Sequence, residues 1–220
     1  MFIVEENPKS IVAEAYRTLR TNIKYSSFDT NIKSIIVTSS IVGEGKSTIA
    51  GNLAISMAKD GKKTLLLDCD LRKPTLHKKF KISNLYGLSE VLLGEKSVDD
   101  ILNKHHSGLH IVTAGKVPPN PSEMLGSRVM TNLIEDLKMV YDYIILDSPP
   151  VNAVADPQIS ATIVDGTIFV IKAESTKKDE VDSAINELKK VNANLIGVVL
   201  NEINENINKY NYYYEENSEK

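Results

Sequence analysis

The sequence has no tryptophan, a single cysteine and no apolar run near the roughly 18 residues that a membrane-crossing helix needs. Each shortage closes off a class of protein. A lone Cys69 excludes a disulfide framework and a cysteine-built zinc site, and it fits a reducing compartment. The first residues, MFIVEENPKS, lack the basic region and apolar stretch of a secretory signal, so the chain is expected in the cytosol. An excess of positive charge is missing too. With 26 basic and 29 acidic side chains the net charge is −3, which argues against nucleic acid as a partner. What is present suffices for a packed core: 42% of the 220 residues are hydrophobic and 25% are charged, unlike a disordered chain.

Short, apolar, often β-branched runs recur along the chain. Ser34–Thr38, Thr64–Asp68, Leu109–Thr113, Tyr143–Asp147, Thr167–Ile171 and Leu195–Leu200 are apolar through most of their length rather than alternating. That pattern belongs to parallel strands covered on both faces. Helical periodicity lies between them at 47–60, 127–140 and 178–191. Such alternation predicts an α/β fold, a doubly wound and mostly parallel sheet flanked by helices, with ligands at the carboxyl ends of the strands. Asp68, Asp147 and Asn201 end three of the runs and so fall on that edge.

The first strand leads through Ser39-Ser-Ile-Val-Gly-Glu-Gly-Lys-Ser-Thr48 directly into a helix. A phosphate-binding P-loop needs glycines that let backbone N–H groups wrap the anion, a lysine for the β- and γ-phosphates, a hydroxyl for Mg²⁺ and a helix N-terminus facing the charge. Gly43, Glu44, Gly45, Lys46, Ser47 and Thr48 supply these parts, although Ser40 stands where the usual pattern has a first glycine. Two further strands strengthen the reading. Leu65-Leu-Leu-Asp-Cys-Asp-Leu-Arg72 ends in carboxylates two residues apart, Asp68 and Asp70, and Tyr143-Ile-Ile-Leu-Asp147 ends in an acid as a metal-holding Walker B strand does. ATP and Mg²⁺ are the expected ligands. The four histidines, His77, His105, His106 and His110, show no ligand spacing and read as surface residues.

The loop ending Gly-Glu-Gly-Lys-Ser-Thr, the Leu-Leu-Leu-Asp-Cys-Asp-Leu-Arg strand and the Ile-Ile-Leu-Asp-Ser-Pro-Pro strand resemble the Walker A, A′ and B motifs of bacterial tyrosine kinases of capsule and exopolysaccharide synthesis. Val117-Pro-Pro-Asn-Pro-Ser-Glu-Met-Leu125 is similar to a loop of that family, and Glu14-Ala-Tyr-Arg-Thr-Leu-Arg20 to its ExxRxxR oligomerisation motif. The chain departs from the family pattern at Val42, often proline, and at Cys69, often a smaller residue. The resemblance implies Lys46 and Asp68 as catalytic residues, a metal shell of Ser47, Asp70 and Asp147, and nucleotide contacts from residues 43–48 and from Asn201. Sequence leaves open which of Asp68 and Asp70 is base and which is ligand, and whether Asn201 merely caps its strand. Glu14, Arg17 and Arg20, on a helix expected at about 8–25, would form the contacts of a ring-like homo-oligomer. A transmembrane polysaccharide co-polymerase would hold the kinase at the inner face of the membrane, and other proteins' tyrosines would be further substrates.

The rival class, MinD/ParA-like switch ATPases, carries an extra lysine in the loop at the position of Ile41, and ends in an amphipathic membrane helix. Here the end is different. Tyr210, Tyr212, Tyr213 and Tyr214 fall in the last eleven residues. Glu202, Glu205, Glu215, Glu216 and Glu219 there oppose only Lys209 and Lys220, so the whole net charge lies in this stretch. The expected organisation is a kinase domain over 1–200 and a mobile acidic tail over 201–220 whose tyrosines are the domain's own substrates.

Overall fold

The computed structural model describes residues 2–26 and 32–203, and no helix among them is long and apolar enough to cross a membrane. The chain opens with α1 (Ile3–Glu6) and α2 (Ile11–Ser26). Ser10 caps α2 by accepting a hydrogen bond from the Ala13 amide at 3.1 Å, which is why the helix starts at 11 rather than 8. The nucleotide-site half follows: β1 (Ser34–Ser39), α3 (Lys46–Lys59) and β2 (Thr64–Asp68). Three one-turn helices come next, α4 (Leu76–Phe80), α5 (Leu88–Leu92) and α6 (Val98–Ile101), then β3 (Asn103–Lys104) and β4 (His110–Val112). The remainder is α7 (Pro121–Leu125), α8 (Arg128–Val140), β5 (Tyr143–Asp147), α9 (Asp156–Ala161), β6 (Gly166–Lys172), α10 (Lys178–Lys190) and β7 (Leu195–Asn201).

The seven strands form one sheet in the order β3-β4-β2-β5-β1-β6-β7, all neighbours parallel except β3 and β4. Alternation within each buried strand feeds two cores. Ile35, Val37, Leu66, Ile145, Ile168 and Val170 face one core with Leu53, Ile55 and Met57 of α3. Ile36, Leu65, Leu67, Ile144, Leu146 and Phe169 face the other with Met130 and Ile134 of α8 and Ala184 and Leu188 of α10. Neither core reaches water, so the strands read as unbroken apolar runs.

From β1 the chain crosses to β2, and from β5 it crosses back over β1 to β6. The order therefore reverses around β1, and the crevice beyond its carboxyl end is where a doubly wound sheet takes its ligand. In register, Asp68 stands opposite Asp147, and Val37 opposite Asp147, so the two acidic strand ends lie side by side next to the P-loop strand. The predicted α/β fold and its six strands are present. Not foreseen were β3, only two residues long, and the one-turn helices between 76 and 101, too short to leave a 3.6-residue pattern. Asn201 belongs to β7, so the last strand runs one residue into the segment assigned to the tail.

Candidate active site

The loop between β1 and α3 is held from inside. Gly45 has φ +91°, and a Cβ there would sit 2.1 Å from Asn201 Nδ2, so both conformation and space demand glycine. Glu44 is buried, and its carboxylate accepts hydrogen bonds from the Ser40 hydroxyl at 2.9 and 3.0 Å, the Ile41 amide at 2.8 Å and the Thr176 hydroxyl. Ser40, the departure from the usual glycine, is thus a donor to the loop's own acid. The Glu44 side chain is committed to bracing, and the Asn201 amide adds to it by donating to the Glu44 carbonyl at 2.9 Å. Thr176→Val removes one donor from a buried carboxylate. We expect it to lower stability by about 1–2 kcal/mol in urea unfolding, and an unchanged midpoint would contradict the brace.

At the start of α3, Lys46 Nζ lies 3.8 Å from Asp70 Oδ2, with both side chains largely buried. Ser47 accepts from the Thr75 hydroxyl at 3.1 Å, and Thr48 from Lys79 Nζ at 3.0 Å. Thr75 and Lys79 had not been singled out from the sequence. They lie in and before α4, where no periodicity marks them, and the segment after β2 brings them onto the P-loop helix.

The three aspartates differ in surroundings. Asp68 is fully buried and accepts from the Asp70 amide at 3.2 Å and the Leu76 amide at 3.1 Å. Burial first, then the charge of Asp147, push its carboxyl well above the ordinary range. Asp147 is also fully buried, no well-aligned hydrogen bond reaches either of its carboxylate oxygens, and burial raises it to about 6 although the Lys46 charge and the neighbouring Ser47 hydroxyl pull the other way. Asp70 accepts from the Lys73 amide at 3.0 Å. A fully buried carboxylate so poorly supplied with donors is costly unless a cation joins it, so this set fits a hard, oxygen-seeking ion such as Mg²⁺. Cys69, between two of these acids, is fully buried, and burial with the charges of Asp68, Asp147 and Asp70 drives its thiol well up. It is an inert core cysteine.

A second network joins the site to the proline-rich loop. Arg72 donates to both carboxylate oxygens of buried Asp156 at 2.8 and 3.1 Å and to Ser122 at 3.0 Å, while the Ser122 hydroxyl donates to Asp156 at 2.6 Å. Arg72 and Ser122 lie in sequence motifs, but Asp156 lies in none. Their separation of 84 residues between Arg72 and Asp156 hides the pair until the chain folds.

Of the expected oligomer residues, Glu14 and Arg17 pair with each other on the exposed face of α2, and Arg17 also donates to the Pro8 carbonyl. Arg20 turns inward instead, donating to the Ser56 carbonyl at 2.8 Å and pairing with Asp60 at 3.2 Å at the end of α3. The surface reading of the histidines holds only for His106; His77, His105 and His110 are half-buried, and His110 bonds the Tyr141 hydroxyl at 2.8 Å. Tyr210, Tyr212, Tyr213 and Tyr214 lie outside the described residues.

A parallel sheet reversing at a glycine loop, with lysine and hydroxyl at the helix start and acids on two adjoining strand ends, defines a P-loop nucleotide-binding domain. Comparison with known proteins narrows that class. A family model described as an AAA domain matches residues 32–201. The tyrosine-protein kinase YwqD of Bacillus subtilis is 43% identical over 202 residues, 90% of this chain and 84% of that protein. The putative tyrosine-protein kinase CapB of Staphylococcus aureus is 38% identical over 96% of this chain and 93% of its own length. Among solved structures, the chimerical protein CapA2B2 superposes with a TM-score of 0.89 at 41% identity, covering 93% of this chain and 90% of that one. The chain belongs to the bacterial tyrosine-protein kinases.

Proposed function

We propose that this chain, a protein-tyrosine kinase by family, moves the γ-phosphoryl group of ATP onto the hydroxyls of its own terminal tyrosines, with neighbouring subunits serving each other. The observation that carries the reading is the convergence of Lys46, Asp68, Asp70 and Asp147 on one crevice, with the Asp147 carboxylate fully buried beside Ser47 and Lys46. Phosphoryl transfer asks mainly for positioning and charge neutralisation, which is what such a set offers. Lys46 and the amides of residues 43–48 would hold the β- and γ-phosphates at the N-terminus of α3. Ser47, Asp70 and Asp147 would hold Mg²⁺, directly or through water. When bound, the ion supplies positive charge against the phosphate oxygens. Asp68 would take the proton of the incoming tyrosine hydroxyl as its oxygen bonds to phosphorus and ADP departs. A carboxyl with raised proton affinity is the better acceptor from a phenol of pKa about 10. Asn201, already bonded to Glu44, would border the nucleotide base.

The acidic tail over 201–220 would deliver Tyr210, Tyr212, Tyr213 and Tyr214, and tyrosines of other proteins would follow the same route. Glu14 and Arg17 on α2 remain as the exposed contacts of a ring-like homo-oligomer, with Arg20 fixing α2 to α3 beneath them. By the family resemblance, a transmembrane polysaccharide co-polymerase would activate the kinase at the membrane, and capsule or exopolysaccharide synthesis and export would be the process regulated. The switch-ATPase reading finds no support at position 41, where an isoleucine side chain cannot reach a phosphate with charge.

Each phosphate adds about −1.5 to −2 charge, so four would add about −6 to −8 to a stretch already at −3. We expect that repulsion to loosen the ring. Light scattering before and after exhaustive autophosphorylation checks it: the assembly becomes smaller, and an unchanged mass would sink the idea. With all four tail tyrosines replaced by phenylalanine, ATP binding stays intact and the assembly no longer responds to ATP.

A further inference from the structure

We infer that Glu5, His105 and His106 form a surface site for a zinc-class divalent metal ion, separate from the nucleotide crevice. Their ligand atoms lie within 4.8 Å of one another, and no other trio of His, Cys, Asp or Glu among the described residues meets that measure.

The site arises from segments a hundred residues apart. Phe2 stacks on Phe80 at 4.4 Å and fills the space that a side chain at Gly51 would need. The Val4 amide donates to Asn52 at 3.1 Å and the Val4 carbonyl accepts from Lys59 at 3.0 Å. These contacts seat α1 on α3 and direct Glu5 to the turn before β4, where Gly108 N–H bonds the His105 carbonyl at 3.0 Å. His105 packs edge-on against Phe80 at 5.3 Å, and the two imidazole rings lie 4.0 Å apart.

Glu5 Oε1 is 3.0 Å from His106 Nε2 and 3.7 Å from His105 Nδ1. A tetrahedral ion with bonds of about 2.0–2.1 Å separates its donor atoms by about 3.4 Å, so the two separations from Glu5 already stand near the edges of such a shell. The second observation is Glu5 Oε1 itself. It is shut off from solvent and accepts no well-aligned hydrogen bond, and the two imidazole nitrogens are its neighbours at ion-pair distance. His105 Nδ1 lies 2.9 Å from the Ser107 hydroxyl, which would turn away as the ion takes the Nδ1 lone pair.

Two imidazoles and one carboxylate select a borderline transition metal over Mg²⁺ or Ca²⁺. Three protein donors leave the fourth position to water, and the bound ion would pin α1 to the β3–β4 edge. That puts it beside the helix that precedes the ring contacts, not beside ATP.

The test uses the full chain without nucleotide and zinc alone as titrant. One ion binds per chain; His106→Ala, at an exposed position, and Glu5→Gln, nearly isosteric, each weaken binding by about tenfold or more. Asp147→Asn, in the nucleotide crevice, keeps the site. Cobalt(II) in place of zinc gives the visible absorption of tetrahedral coordination in the parent protein and loses it in both variants. No saturable zinc binding, or variants that titrate like the parent with circular dichroism unchanged, would overturn the proposal.

Discussion

Lys46→Met is expected to reduce tail phosphorylation by about a hundred- to thousandfold while leaving the fold intact. Lys46 is the cation of the crevice that faces Asp70 at 3.8 Å, and its charge also tempers the proton affinity of Asp147. Methionine matches the length of its stem and keeps the contacts at the head of α3, but it brings no charge. Two consequences add. The phosphates of ATP then enter a pocket of three acids with less to offset them, and the charge developing on the transferred group loses a cation. The loss appears in phosphotyrosine formed per minute in enzyme first stripped of phosphate. Phosphotyrosine accumulating at the parental rate in a clean Lys46→Met preparation would refute the assignment.

The second large effect is on stability, and its sign is opposite to intuition. Asp147→Asn should stabilise the ligand-free protein at neutral and alkaline pH. In the fold Asp147 holds its proton up to about 6, against 3.8 for the ordinary side chain, so between those values the native state binds more protons than the unfolded chain. Stability therefore falls as pH rises through that window, and above it the buried charge costs about 3 kcal/mol. Asparagine keeps the shape and escapes the charge. Near pH 4 variant and parent should melt together, and near pH 8 the variant should melt higher by about 6–12 °C. Mg-ADP reverses the ranking, because only the parent retains the carboxylate that a cation would join. Equal melting at pH 8, or an ordering unaffected by Mg-ADP, would contradict the role given to Asp147.

Much of this arrangement is legible in the sequence for one physical reason. Strands covered on both faces must be apolar throughout, so a charged residue at the end of such a run, as at Asp68 or Asp147, stands out. The glycine loop is legible because its backbone conformation excludes other residues, as Gly45 shows. What stayed hidden is pairing across distance. Glu44 and Thr176 are 132 residues apart, Arg72 and Asp156 are 84; Glu44 and Arg72 sit in motifs, but their partners Thr176 and Asp156 look like ordinary polar surface positions. Glu5 and the two histidines are the same case: adjacent histidines have no telling spacing until α1 folds back beside them. Arg20 shows the limit of a motif, since its guanidinium serves α3 within the subunit while Glu14 and Arg17 stay at the surface.

Mapping phosphotyrosine by mass spectrometry after incubating dephosphorylated protein with Mg-ATP, with and without a candidate membrane activator, tests the central claim most directly. Modification concentrated on Tyr210, Tyr212, Tyr213 and Tyr214, and absent in Lys46→Met, is the predicted result. Release of inorganic phosphate with no tyrosine modified would contradict it and point to a switch ATPase instead.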